Sequence, residues 1–228
     1  MPIKTPPLIA EFIGTFALCF AGILALAHHG DNLVVVALAH GLAIGTMISA
    51  IGYISGGHLN PAVTLGLLVA GKIDGLNAAA YVLAQVLGGL VAAAICLPLV
   101  HQSGVDAGTP GVAEGVSLPA ALIVEIVLTF FLVFTVYGSA VDKRGNAVGG
   151  LFIGLAVTMG ILAGGPLTGA AMNPARHLGP ALLSGNGEKL GLVWLYWLAP
   201  VIGGVLAGGL WRGMLAKPEP GEGTESAA

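Results

Sequence analysis

One twelve-residue stretch occurs twice in this chain. At 55–66 it reads Ser-Gly-Gly-His-Leu-Asn-Pro-Ala-Val-Thr-Leu-Gly, and at 168–179 it reads Thr-Gly-Ala-Ala-Met-Asn-Pro-Ala-Arg-His-Leu-Gly. Both copies place Asn-Pro-Ala after a hydroxyl residue and a glycine, and both have a glycine six residues beyond the Asn. Asn before Pro is a strong helix start: the Asn side chain accepts from free backbone N–H groups, and Pro at the first helical position has no N–H to leave unpaired. A single such tripeptide arises readily by chance. Two copies in matching contexts, 113 residues apart, mark a duplicated unit.

The surroundings of the two copies are very apolar. Of 228 residues, 56% are hydrophobic and 8% charged, against about 25% charged in soluble domains. Six runs are long enough to span a ~30 Å hydrocarbon core at ~1.5 Å per residue. They lie near 8–28, 33–54, 77–100, 118–140, 147–165 and 191–213. Shorter apolar segments follow each Asn-Pro-Ala copy, near 61–70 and 174–184, and reach about half way across. The 37 glycines suit closely packed membrane helices. A net charge of −3 without a basic block excludes nucleic acid as a partner. Cys19 and Cys96 lie inside apolar runs and read as small core residues.

The first run, with Lys4 before it and Ala25-Leu26-Ala27 after, has the outline of a secretory signal peptide. Its partner in the second half argues otherwise. Glu11-Phe-Ile-Gly-Thr15-Phe16 corresponds to Glu125-Ile-Val-Leu-Thr129-Phe130, and Tyr81 through Gly88-Gly89 corresponds to Tyr196 through Gly203-Gly204. The chain therefore divides into an N-terminal tail 1–7, a first repeat 8–100, a connecting loop 101–117, a second repeat 118–214 and a disordered tail 215–228 rich in Pro, Gly, Glu and Ser. Three spans per half is an odd number, so the second half enters from the opposite face, which makes an inverted repeat. Lys4, Lys72, Lys143, Arg144, Arg212 and Lys217 fall on one side of this arrangement, and Arg176 and Lys189 on the other. The positive-inside rule then predicts cytoplasmic termini.

In an inverted repeat the two short segments enter from opposite faces, and their starts, Asn60 and Asn173, meet near the midplane. Non-helical backbone at that depth is tolerated only where protein buries it or where it lines a watery cavity. The approaches Ser55–His58 and Thr168–Ala171 therefore predict a polar conduit.

These motifs resemble those of the aquaporins, the major intrinsic protein family. The resemblance covers essentially all of 8–214 and rests on the twin Asn-Pro-Ala loops, the Glu-x-x-x-Thr-Phe repeats and Asn173-Pro-Ala-Arg176. It implies an all-α membrane fold of six transmembrane helices plus two re-entrant half-helices. It also implies a homotetramer with one pore per protomer, and a passive channel for water and other small neutral solutes that excludes protons and ions. Asn60, Pro61, Ala62, Asn173, Pro174 and Ala175 would form the pore centre. The carbonyls of Gly56, Gly57, His58, Gly169, Ala170 and Ala171 would offer acceptors on either side. Each half-helix start carries roughly +0.5 charge, and two such ends facing one point disfavour cations. Half-helix dipoles together with a pore arginine are the general account of cation and proton exclusion in this family.

The family's selectivity filter falls at four positions: 20 residues before the first Asn, then 12 before, three before and three after the second. Here these are His40, Ile161, Ala170 and Arg176. A mid-span His is costly and usually functional. Strictly water-selective members have an aromatic residue at the first position and His at the second, and glycerol facilitators have Trp at the first. The set His/Ile/Ala/Arg resembles that of plant vacuolar (tonoplast) aquaporins, which implies a somewhat wider filter. Ammonia, urea or hydrogen peroxide is then the alternative main solute. Some ammonia-conducting vacuolar members add a loop His near the position that Pro110 holds here, and His101 in the same loop has no assigned role. His177 and Ala181 stand where glycerol facilitators typically carry Asp and a basic residue, and Tyr196-Trp197 resembles the water-channel pair. For His177, which departs from the family's usual Ser, packing is the expected role and pH sensing the alternative.

Glu11 and Glu125 are carboxylates within spans, a placement that by itself suggests a proton relay. Their symmetry, supported by the resemblance, suggests structural anchors for the two irregular loops. His28 and His29 beside Asp31 read as exposed loop, with too few ligands for a metal, and no cofactor is expected. An ion-coupled transporter would also use inverted repeats and broken helices. It needs an ionisable residue at the midplane, where these loops offer neutral Asn. No nucleophile–base pair or metal cluster suggests an enzyme. The short loops point to a prokaryotic inner membrane.

Overall fold

The computed structural model describes residues 4–142, 144 and 148–215. Among these all regular secondary structure is helical, without a strand. In chain order the helices are α1 (Thr5–His29), α2 (Leu33–Ser55), α3 (Pro61–Val69), α4 (Gly75–Gly108), α5 (Leu118–Val136), α6 (Gly149–Thr168), α7 (Pro174–Ala181), α8 (Gly187–Gly191) and α9 (Val193–Leu210). Single π-turns, Tyr137–Val141 and Trp211–Leu215, extend α5 and α9. Six helices are long and apolar enough to span a membrane, and α3 and α7 are the two re-entrant half-helices. The protein is an integral, multi-pass membrane protein.

The caps follow the local sequence. Asn32, Asp74 and Ser117 accept from backbone N–H groups at the starts of α2, α4 and α5. The donors of Asn77 hold the exposed Asp74 carboxyl below the ordinary carboxylate range. Gly56 and Gly169 end α2 and α6 in the left-handed region, at φ 88° and 73°.

Four boundaries differ from those read in the sequence. Helix α1 begins at Thr5, inside the expected tail, because Pro6 and Pro7 fit a first turn whose N–H groups have no helical partner. It also runs through His28 and His29, which form its exposed last turn and not a loop. The expected loop 101–117 is helical as far as Gly108. Pro98 and the non-helical His101 (φ 58°, ψ 178°) break α4, and a further short helical piece follows the break. At the other end the helix continues through Leu215. The rest of the expected tail, with Lys217, lies outside the described residues, as does Lys143.

The halves interlock. Helix α1 packs on α4 and α2, α5 packs on α9 and α6, and α2 meets α6 across the pseudo-two-fold axis. Each half-helix leaves its own repeat: α3 packs chiefly on α9, and α7 on α4. Paired glycines permit this. A Cβ at Gly88 would lie 2.4 Å from the Phe12 carbonyl oxygen, and one at Gly89 would lie 2.7 Å from that of Ala175. The counterparts Gly203 and Gly204 would clash in the same way with Ile126 and Ala62. Small residues let backbones approach where lipid supplies no hydrophobic drive between helices. With six spans, the start of α1 and the end of the last helix lie on one face, here called the terminal face, where Arg144 donates to the Leu215 carbonyl. The opposite face is the distal face.

Candidate functional site

The two loops between spanning helix and half-helix are built alike. Positive φ occurs at Gly56, Gly57 and Leu59 in the first loop and at the equivalent Gly169, Ala170 and Met172 in the second. Left-handed backbone is unfavourable for residues other than glycine, so something must hold Leu59, Ala170 and Met172 there. The buried carboxylates do so for Leu59 and Met172, and the Thr168 hydroxyl, itself bound to Glu125, accepts from the Ala170 N–H. Glu11 accepts from the backbone N–H of His58 (2.9 Å) and Leu59 (2.6 Å), from the Ser55 hydroxyl (2.6 Å) and from the Gln85 amide (2.7 Å). Glu125 accepts from the backbone N–H of Ala171 (2.9 Å) and Met172 (2.8 Å) and from the Thr168 hydroxyl (2.7 Å). Tyr81 and Tyr196 donate to the carbonyls of Ser55 and Thr168.

Asn60 and Asn173 do two things at once. Each side-chain oxygen caps its own half-helix: Asn60 accepts from Ala62 (2.8 Å), and Asn173 from Ala175 (3.0 Å) and Arg176 (3.2 Å). Each amide nitrogen donates to the other repeat's loop, Asn60 to the Met172 carbonyl (2.7 Å) and Asn173 to the Leu59 carbonyl (2.9 Å). The cross-link uses one N–H of each amide. The second N–H of each remains for the cavity that both residues border. Pro61 and Pro174 open the half-helices, and with Ala62 and Ala175 they are buried beneath this junction.

The cavity is narrow and leaves about 20 Å³ for the centres of water-sized spheres. His40, Ile161, Ala170 and Arg176 all line it, as do Gly57, His58, Ala171 and both Asn. Gly169 instead lines a distal vestibule, which meets the cavity at Ile161 and Arg176. Gly56 is exposed where α2 ends and is not among the lining residues of either space. Sequence reading did not name the apolar wall of Leu18, Ile44, Ile48, Val63, Leu132, Val136, Ile153 and Val157. The signal was available, since the repeat offset applied to the four family positions yields Ile153, Ile48, Gly57 and Val63.

Arg176 and His40 are joined. The His40 Nδ1 lies 2.8 Å from the Val36 carbonyl one turn back, so that nitrogen carries the proton. Nε2 is then the acceptor, and Arg176 Nη2 donates to it at 3.0 Å. His40 is 1% exposed and Arg176 4%. The other guanidinium donors, Nε and Nη1, have no partner among the described residues. A buried charge with donors to spare, on the wall of a conduit, can bind a passing oxygen acceptor and repel cations. Pro110 packs over Gly169 in the vestibule, where a Cβ on the glycine would lie 3.0 Å from its Cα.

His177 is not among the residues that line the cavity. It is fully buried, and its ring stacks on Tyr196 with centroids 4.1 Å apart. Cys19 and Cys96 are buried free thiols.

Six spanning helices in an inverted repeat, enclosing a narrow conduit where two half-helices meet, define a passive membrane channel. The chain belongs to the major intrinsic protein family, whose profile matches residues 4–211. It is 45% identical over 221 residues to aquaporin TIP4-4 of Zea mays, covering 90% of this chain and 85% of that one. To aquaporin Z of Rhodopseudomonas palustris it is 41% identical over 236 residues, covering 96% of each. Its fold superposes on the aquaglyceroporin of Plasmodium falciparum with a TM-score of 0.81 at 27% identity, covering 92% of this chain and 96% of that one. The protein is a passive channel for water and small neutral solutes, not an enzyme.

Proposed function

We propose that water is the main solute and that it passes in file between two stations. The first is the pore centre, where Asn60 and Asn173 each keep one amide N–H for the oxygen of a passing water. Such a water must point its hydrogens outward, which interrupts a proton-conducting chain. The backbone carbonyls of Gly57 and His58 on one side, and of Ala170, Ala171 and Gly169 on the other, offer the acceptors. The second station is the filter His40, Ile161, Ala170 and Arg176. The observation that carries this reading is that all four line the one cavity, which meets the vestibule at Ile161 and Arg176. Arg176 presents free donors there while His40 holds its other edge. Glu11 and Glu125 keep the loops in their strained left-handed form, a structural role.

One observation favours a second reading. Ile161 puts an apolar side chain at the boundary where strictly water-selective relatives carry a polar one, which suits urea, ammonia or hydrogen peroxide beside water. Glycerol is disfavoured by His177 and Ala181 after the second motif. Four protomers per assembly, and a prokaryotic plasma membrane with both termini cytoplasmic, complete the proposal. End-to-end coverage of the Rhodopseudomonas relative and the basic residues of the terminal face support it.

Stopped-flow light scattering on proteoliposomes tests this directly, with sucrose, urea, glycerol and ammonium gradients applied in turn. Osmotic water flux well above that of empty liposomes is expected, and flux equal to theirs would refute water conduction. A parallel pH-gradient assay is expected to show no added proton flux.

A further inference from the structure

We propose that Gly22 on α1 is a positioning residue that sets the selectivity of the conduit through His40, an inference that rests on His40 acting in the filter. A Cβ at Gly22 would lie 2.3 Å from His40 Nε2 and 2.9 Å from both Cδ2 and Cε1. Those are the nearest atoms it would meet, and all belong to the imidazole. The hydrogen of Gly22 thus stands where any other residue would hold a carbon, and the tip of the imidazole occupies the space. That tip is the functional end of the ring, since Nε2 accepts from Arg176 Nη2. The other end is fixed to its own helix by the Val36 carbonyl. The ring therefore has three restraints: a carbonyl at Nδ1, a guanidinium at Nε2 and the bare backbone of α1 beside its tip.

The other repeat shows the complementary solution. The position equivalent to Gly22 is Val136, which lines the cavity itself, and the equivalent of His40 is Ile153. One repeat pairs no side chain with a large ring, and the other pairs two medium aliphatic residues. A methyl group at position 22 displaces the imidazole tip toward the conduit and off the Arg176 donor. Leaving a rotamer well is costly, and close-packed surroundings resist it. By contrast, a Cβ at Gly88 would strike a carbonyl of the neighbouring backbone, so substitution there threatens the fold itself.

The test compares Gly22→Ala, His40→Ala and the double variant in proteoliposomes, with rates normalised to reconstituted protein. Gly22→Ala is expected to lower water permeability several-fold and to lower the urea-to-water ratio further. In the His40→Ala background the same substitution is expected to change neither. Equal losses in both backgrounds would overturn the inference, because Gly22 would then act on something other than the imidazole. A silent Gly22→Ala alongside an altered His40→Ala would overturn it too. If Gly22→Ala alone fails to reach the membrane, recovery in the double variant supports the inference and failure of both defeats it. Solute rates unchanged in His40→Ala would remove the filter reading, and this inference with it.

Discussion

The four distal positions His40, Ile161, Ala170 and Arg176 have exact counterparts 113 residues away, at Ile153, Ile48, Gly57 and Val63, and these also line the cavity. Inverted duplication built two rings from one plan, on either side of the Asn60–Asn173 junction. One ring carries a guanidinium and an imidazole, and the other is entirely apolar. On the proposed filter role, these side chains and not the shared backbone plan discriminate among solutes. The rings differ most at two positions, an imidazole on α2 of the first repeat and a charge on α7 of the second, where the other ring has Ile153 and Val63. The anchors beneath the rings diverge in the same manner. In the first repeat Thr64 donates to the Asn60 carbonyl and lies within hydrogen-bond reach of Gln85 and of His58, whose ring meets Tyr81 edge-on. In the second, His177 replaces Thr64, Pro200 replaces Gln85, and stacking on Tyr196 takes the place of the hydrogen bonds. Each repeat thus brings a histidine to its tyrosine from a different sequence position.

Making the rings alike is the most direct way to break this comparison. Arg176→Val copies the apolar ring's residue into the distal one. A unit charge about 4 Å from a passing ion is worth about 4 kcal/mol at an effective dielectric near 20, so cation leak should rise by roughly one to three orders of magnitude. Ion flux in proteoliposomes checks it, and an unchanged leak would show that the half-helix ends exclude cations without Arg176. Next in size are the anchors. Glu125→Ala strands three donors, and Glu11→Ala strands four, one of them on Gln85. Each buried orphan costs about 1–3 kcal/mol. Both variants should lose several kcal/mol of stability in detergent, with the Gln85 amide finding a substitute partner more easily than a backbone N–H. Thermal unfolding monitored by circular dichroism would measure the losses, and wild-type stability would refute anchoring.

His40→Ile gives the distal ring its counterpart's aliphatic residue and leaves Arg176 without its acceptor. A change of about 1.5 kcal/mol, the low end of the scale of one lost hydrogen bond to a charged group, should raise urea and glycerol passage about tenfold. Rates equal to wild type would count against His40 lining the constriction. The smallest effect is expected from His177→Thr, which copies Thr64. Losing an aromatic stack costs about 0.5–1.5 kcal/mol, with solute ratios unchanged because His177 is not on the cavity wall. An altered urea-to-water ratio would give His177 a role beyond packing.

The sequence carried the spanning helices, because runs of apolar residues of membrane length are a local property. It carried the half-helices for the same reason, since Asn-Pro is a local start signal. The matching offsets of the two halves also yielded the inverted repeat and, through the family, the four distal positions. It did not reveal that α4 resumes as helix beyond His101, because Pro98 and the loop-like composition of 101–117 mask a short helical piece stabilised by packing. Nor did it reveal that Gly56 is exposed at the end of α2, or that the packing expected of His177 is a stack on Tyr196.

By itself, then, the sequence determined that this chain is a six-span inverted repeat whose two Asn-Pro-Ala starts belong together. Only the tertiary structure decided how they are joined. The crossed bonds from Asn60 to Met172 and from Asn173 to Leu59 link residues more than a hundred positions apart. The space for the His40 ring is made by a glycine on another helix. Such pairings leave no local pattern in a chain, because they depend on which backbones pack closely enough for one side chain to reach another.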